Sequence, residues 1–141
     1  MKITLNRIDD DYLFECKNSI GNTVLLDNTS ASENPKGVSP MENLLMSVAG
    51  CSGIDVVSIL KKQRQVITDF KAEVVGERVQ VAEAKPFKEI KVTFYLEGQI
   101  DLDKAKRAAE LSFDKYCSVS KTLEPQVQVS YQVYVNGVEV A

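Results

Sequence analysis

Along the first 27 residues apolar and polar positions alternate in three short runs. Residues 2–8 (KITLNRI), 12–18 (YLFECKN) and 22–27 (NTVLLD) carry the period of two that places one face of a strand inward. Asp9-Asp10-Asp11 and Ser19-Ile20-Gly21-Asn22 separate them, so the pattern predicts an antiparallel meander. Residues 28–39 are polar, and Pro35 and Gly37 break any regular element there.

The period then changes. Ser39-Pro40-Met41-Glu42 fits a capping box, with Ser39 as N-cap, Pro40 in the first helical position and Glu42 reaching back to the cap. From Pro40 to about Gln65 apolar positions recur at three- and four-residue steps through Leu44, Val48, Cys51, Val56 and Ile59. The centre of this segment is apolar or small on every side, which predicts a long helix buried on most faces. Gly50 and Gly53 flank Cys51 and permit another backbone or a substrate to come close. Lys61, Lys62 and Arg64 suit a solvated helix end, where cations offset the dipole.

Strands are predicted again at residues 69–81 and 88–97. A second helix follows over residues 102–116, with Asp101 as N-cap and Leu102, Ala105, Ala108, Ala109 and Phe113 on its apolar side. Residues 118–123 form a short helix closed before Pro125. Residues 126–140 alternate strictly, and Asn136-Gly137 has the chemistry of a hairpin turn. This order predicts an α+β fold, an antiparallel sheet with a long buried central helix, in one domain over residues 1–141. So apolar a helix is hard to hide in so short a chain, and a homodimer would cover it.

Composition narrows the chemistry. The chain has no histidine, which excludes a Ser-His-Asp triad, a Cys-His nucleophile pair and a His-ligated zinc. Three cysteines fall short of an all-cysteine metal site, which takes four, so no metal and no cofactor are expected. The net charge of −3 comes without a basic stripe, which argues against nucleic acid. No apolar run approaches the ~18 residues of a membrane span, and a cytoplasmic protein is expected. The odd cysteine count and the lack of a CxxC motif predict free thiols rather than a disulfide framework or a thioredoxin-type motif.

Two segments carry a resemblance. Residues 37–51, GVSPMENLLMSVAGC, are similar to the cysteine-bearing helix of the OsmC/Ohr family of thiol peroxidases. Residues 115–120, KYCSVS, resemble that family's second cysteine segment, and residues 55–62, DVVSILKK, look most like a less-studied branch of it. The order and length of the elements match over nearly the whole chain. The resemblance implies an OsmC-like intertwined homodimer with sites at the subunit interface. It implies that Cys51 reacts with an organic or inorganic hydroperoxide, that Cys117 resolves the resulting sulfenic acid to a disulfide, and that an external dithiol reduces it.

The match has gaps. The family places a glutamate directly after the proline, where this chain has Met41, and Glu42 lies one residue later, about 100° around a helix. No arginine occurs between Arg7 and Arg64, so the family's loop arginine is missing. Lys36 is a candidate substitute, as a point charge rather than a fork. Glu42 has a complete explanation as a capping residue. Asp55 lies one turn after Cys51 on the same face, where it can orient a partner but would oppose a thiolate. Cys117, at the start of the short helix, is expected to gain from its dipole. Cys16, in a predicted strand without a motif, is read as packing. Two functions follow. One is a thiol peroxidase working through Cys51 and Cys117, with Glu42, Lys36 and Asp55 as candidates for support. The other is a non-catalytic protein that binds a small hydrophobic ligand or senses redox state on the same scaffold.

Overall fold

In a computed structural model that describes residues 1–141, the chain resolves into two compact units, residues 1–44 and 45–141.

In the first unit β1 (Thr4–Arg7), β2 (Phe14–Lys17) and β3 (Thr23–Leu26) form the expected antiparallel meander. Leu5, Cys16 and Val24 stand in register across it, and both Leu5 and Val24 are exposed. The polar loop that follows is organised by the buried carboxylate of Asp27, which accepts the Asn28 N–H at 2.8 Å and the Lys36 N–H at 3.0 Å. Gly37 is required where the loop pairs back at Val38 with Leu26, because a Cβ there would lie 2.7 Å from the Leu25 carbonyl.

Helix α1 (Pro40–Lys62) starts at the capping box read from the sequence. The Ser39 N–H donates to Glu42 Oε2 at 2.9 Å, and the Glu42 N–H donates to Ser39 Oγ at 3.1 Å. It ends three residues before the expected Gln65. The Gln65 N–H reaches back to the Leu60 carbonyl, the Arg64 N–H to that of Lys61, and Arg64 adopts φ 59°. That is a Schellman stop made without glycine, which is why no sequence signal announced it.

In the second unit β4 (Val66–Arg78), β5 (Phe87–Gln99), β6 (Gln128–Val135) and β7 (Val138–Glu139) form a sheet in that order. β4 and β5 are antiparallel, as are β6 and β7 around a turn in which Asn136 and Gly137 both have positive φ. The sheet differs from the expected all-antiparallel one at β5 and β6, which run parallel because the chain crosses over through helices between them. Those helices are α2 (Leu102–Leu111), a π-helical turn Ser112–Tyr116, and α3 (Ser118–Leu123). The Asp101 side chain caps α2 at the Lys104 N–H, at 3.0 Å. The expected continuous helix to Tyr116 therefore widens for its last turn, and the Cys117 N–H bonds the Ser112 carbonyl five residues back.

The core of this unit follows the two periods. Ile90, Val92, Phe94 and Leu96 alternate inward along β5, joined by Val133 and Val135 of β6. Ala105, Ala108 and Ala109 line α2, and Val48, Ser52, Val56 and Leu60 form a four-residue stripe on α1. Phe70, Phe94, Phe113 and Tyr131 make a chain of ring contacts with centroids 5.6, 6.2 and 4.9 Å apart. Here one expectation is corrected. α1 is not buried on most faces in the single chain, and Met46 and Ile54 are 54% and 69% exposed. One sheet layer can cover only one stripe of a helix that is apolar all round. By length and mean hydropathy (1.6 in its most apolar window) α1 also matches a membrane-crossing helix, which corrects the expectation that no apolar run approaches that length.

Candidate functional site: a dithiol beside a carboxylate

Cys51 sits at mid-length on α1, half-buried, and Asp55 lies one turn on along the same face. Cys117 comes from the far side of the parallel crossover. The π-helical turn delivers it: the extra residue ends the helical path at Cys117, whose φ −68° and ψ 99° are extended before α3 begins. Stacking of Phe113 on Tyr131, at 4.9 Å, holds that turn against the sheet. The sulfurs of Cys51 and Cys117 and a carboxylate oxygen of Asp55 then lie within 4.8 Å of one another. A disulfide needs sulfurs about 2.05 Å apart, so joining this pair would take side-chain rotation and a local shift. None of the three cysteines is in a disulfide.

Two hydroxyls complete the cluster. The buried Ser112 donates to Asp55 Oδ2 at 2.9 Å and fixes the carboxylate's orientation. The buried Ser120 donates to the Cys117 sulfur at 3.1 Å. Ser120 belongs to the segment that carried the resemblance, but its role was not read from it. Ser112 left no signal at all, because its partner is 57 residues away.

Burial pushes the Cys117 thiol above its ordinary value, the Ser120 hydroxyl pulls it back in part, and negative charge on Cys51 raises it further. This corrects the dipole expectation. α3 has only six residues, Cys117 makes no capping bond with its side chain, and desolvation wins. Raised in this way, Cys117 remains a thiol at neutral pH.

The other sequence candidates lie in the first unit. Glu42 is held in the capping box of α1. The backbone of Lys36 is tied to Asp27 in the loop of the first unit. Cys16 is half-buried in β2 of that unit. Gly53 does admit a close neighbour, since a Cβ there would touch the Phe70 ring at 3.3 Å. Gly50, where a Cβ would meet nothing within 4 Å, opens onto an apolar groove of about 360 Å³ lined by Ala49, Gly53, Ile54, Val57, Ser58 and Phe70.

The sequence and the fold both have relatives. The OsmC-like protein family matches residues 33–132, a span that includes Cys51, Asp55 and Cys117. Protein YhfA of Escherichia coli K12 is 40% identical over 116 residues, which cover 82% of this chain and 84% of that protein. Among solved structures, a hypothetical protein from Aquifex aeolicus VF5 is 32% identical, with a TM-score of 0.79 over 96% of each chain. The organic hydroperoxide resistance protein OhrB of Bacillus subtilis has a TM-score of 0.65 over 94% of this chain and 96% of its own. At 20% identity that last likeness is one of fold.

Proposed function

Because the chain belongs to the OsmC-like protein family, whose homologues point to a redox or peroxide-resistance role, we propose that it is a thiol peroxidase that reduces organic or inorganic hydroperoxides through Cys51 and Cys117. The observation that carries this reading is the approach of the two sulfurs to within 4.8 Å, from residues far apart in sequence. The Cys51 thiolate attacks the terminal oxygen of the hydroperoxide. The O–O bond breaks, the hydroxyl passes to sulfur so that Cys51 becomes a sulfenic acid, and the alkoxide leaves and takes a proton from solvent to become the alcohol. The Cys117 sulfur then displaces hydroxide from Cys51, which leaves as water with the Cys117 proton, and a disulfide forms. An external dithiol returns both residues to thiols and is itself oxidised. Oxidation of Cys51 removes its negative charge, and with it one cause of the raised Cys117 thiol, so resolution becomes easier once it is needed.

One equivalent of cumene hydroperoxide is expected to consume two of the three thiols, leaving Cys16 titratable, with a Cys51–Cys117 disulfide in the peptide mass spectrum. Loss of Cys16, or no thiol loss beyond that of an ordinary free thiol, would sink the scheme. In the latter case a second reading takes over: a protein that holds a small hydrophobic ligand without turnover. The apolar groove beside Gly50 and the carboxylate beside the dithiol favour that reading.

The working unit is a homodimer. A three-stranded meander is marginal unless its apolar face is covered, yet Ile3, Leu5, Ile8 and Val24 are exposed, as are Met46 and Ile54 of α1. A second copy supplies the matching apolar surface. Light scattering at micromolar concentration is expected to give twice the 15.6 kDa chain mass, and a monomeric mass would refute this. A reducing cytoplasm suits three free thiols.

A further inference from the structure

The peroxidase scheme leaves Asp55 without a task. Its carboxylate lies within 4.8 Å of both sulfurs, and Ser112 holds it there with a 2.9 Å hydrogen bond. Two thiols and a carboxylate gathered around one point form a donor set that a thiophilic cation completes, taking the sulfurs as thiolates in exchange for their protons. We propose that Cys51, Asp55 and Cys117 form a site for a thiophilic divalent metal ion, Zn²⁺ in the first instance, and that metal and disulfide exclude each other. The inference is independent of peroxide chemistry, since it needs only the reduced cluster.

The geometry supports it. In a tetrahedral zinc site with Zn–S about 2.3 Å and Zn–O about 2.0 Å, sulfurs stand roughly 3.8 Å apart, and sulfur and oxygen roughly 3.5 Å. The donor atoms here are all within 4.8 Å of one another, so contraction by about 1 Å at each edge, within reach of side-chain rotation, forms the site. Two of the donors come from successive turns of α1, an arrangement rigid enough to preset their spacing. Ser112 orients the carboxylate ligand and Ser120 donates to a ligand sulfur, the outer contacts that metal sites use to aim their donors. Three protein donors leave a fourth position, which half-buried Cys51 leaves accessible to water. Two sulfur donors select Zn²⁺, Cd²⁺ or Co²⁺ over Mg²⁺ and Ca²⁺. Binding replaces the two thiol protons with the metal and releases them to solvent, without electron transfer. Two-electron oxidation of the two thiolates by an added disulfide reagent, itself reduced to two thiols, joins the sulfurs, consumes both donors and expels the metal. Bound metal in turn ties up the nucleophile.

The full-length chain, reduced, treated with EDTA and free of hydroperoxide, is titrated with Co²⁺ and then Zn²⁺. One Co²⁺ per chain is expected, with sulfur-to-cobalt charge-transfer absorption in the near ultraviolet and tetrahedral bands in the visible, both lost on adding Zn²⁺. Zn²⁺ should protect two thiols from a disulfide reagent and leave Cys16 reactive. Cys51→Ser and Cys117→Ser should each weaken binding about a hundredfold, Asp55→Asn by about tenfold or more, and Cys16→Ser not at all. The preformed disulfide should not bind. Circular dichroism establishes that each variant is folded, and Asp55→Asn, which can keep the Ser112 hydrogen bond, tests the site with the least disturbance. No saturable Co²⁺ binding, binding unchanged by Asp55→Asn, or binding abolished by Cys16→Ser would each overturn the proposal. Failure of peroxide turnover would leave the cobalt result standing, and the reverse also holds.

Discussion

Cys51→Ser is expected to slow hydroperoxide consumption by about a thousandfold or more, because it removes the atom that forms the covalent intermediate. The assignment of Cys51 rather than Cys117 as nucleophile rests on environment. Cys117 is fully buried, and burial pushes its thiol up, so little of it is thiolate at neutral pH. Cys51 is only half-buried. Cys117→Ser should still react once with peroxide but should stop there. Its sulfenic acid, unable to condense with a partner, should progress to sulfinic acid under excess oxidant and end turnover. The Cys117→Ser product is therefore one or two oxygen atoms heavier, whereas the parent loses two hydrogen atoms. Cys16→Ser should turn over like the parent. A Cys51→Ser variant that reduced cumene hydroperoxide at the parental rate would show that the nucleophile lies elsewhere. Lacking the family arginine, the parent itself should be slower than members that retain it.

The largest effect on stability is expected at Gly98, on β5. Its φ of +137° is a conformation that side chains rarely adopt, and a Cβ there would sit 2.0 Å from the Val66 carbonyl oxygen. Neither problem can be relieved locally. β4 is irregular between Ile67 and Asp69, opposite this point. Asn136 grips Gly98 from the other side, its amide donating to the Gly98 carbonyl and its Oδ1 accepting the Gly98 N–H, both at 3.0 Å. Gly98→Ala should therefore cost about 3–5 kcal/mol: roughly 1–2 for the backbone conformation and the rest for the clash and the movement it forces. That is a large share of the ~5–15 kcal/mol that holds a domain folded, so the urea midpoint should fall steeply. Gly50→Ala is the contrast. A methyl there meets nothing within 4 Å, and helix propensity favours alanine by up to about 1 kcal/mol. If Gly98→Ala melted with the parent, the bend at this edge of the sheet would be far softer than its contacts imply.

What the sequence determined by itself is local. The capping box at Ser39 and Glu42, the Asp101 cap and the Asn136-Gly137 turn all form as read, because their partners lie within a few residues and the hydrogen bonds are written into neighbouring side chains. The alternation in β5 and the four-residue stripe of α1 likewise follow from the geometry of a single element. The two cysteines were legible as candidates only through their motifs. Local signals also misled where a global one prevailed. Burial outweighed the dipole at Cys117, and Arg64 stopped α1 without a glycine.

Tertiary structure decided the rest. Whether β6 runs parallel or antiparallel to β5 depends on where the crossover places it, since its strict alternation is the same in either direction. The widened turn at Ser112–Tyr116 exists because the ring of Phe113 must stack on Tyr131 while Cys117 turns toward α1. Asp55 gained its meaning only there. In sequence it was a polar residue one turn beyond a cysteine. In the fold it becomes, with a hydroxyl 57 residues away and a second sulfur within 4.8 Å, one corner of a three-donor cluster. No local pattern encodes that, because contacts across such separations are chosen by the packing of whole elements, and packing constrains volume and shape before it constrains which polar groups meet.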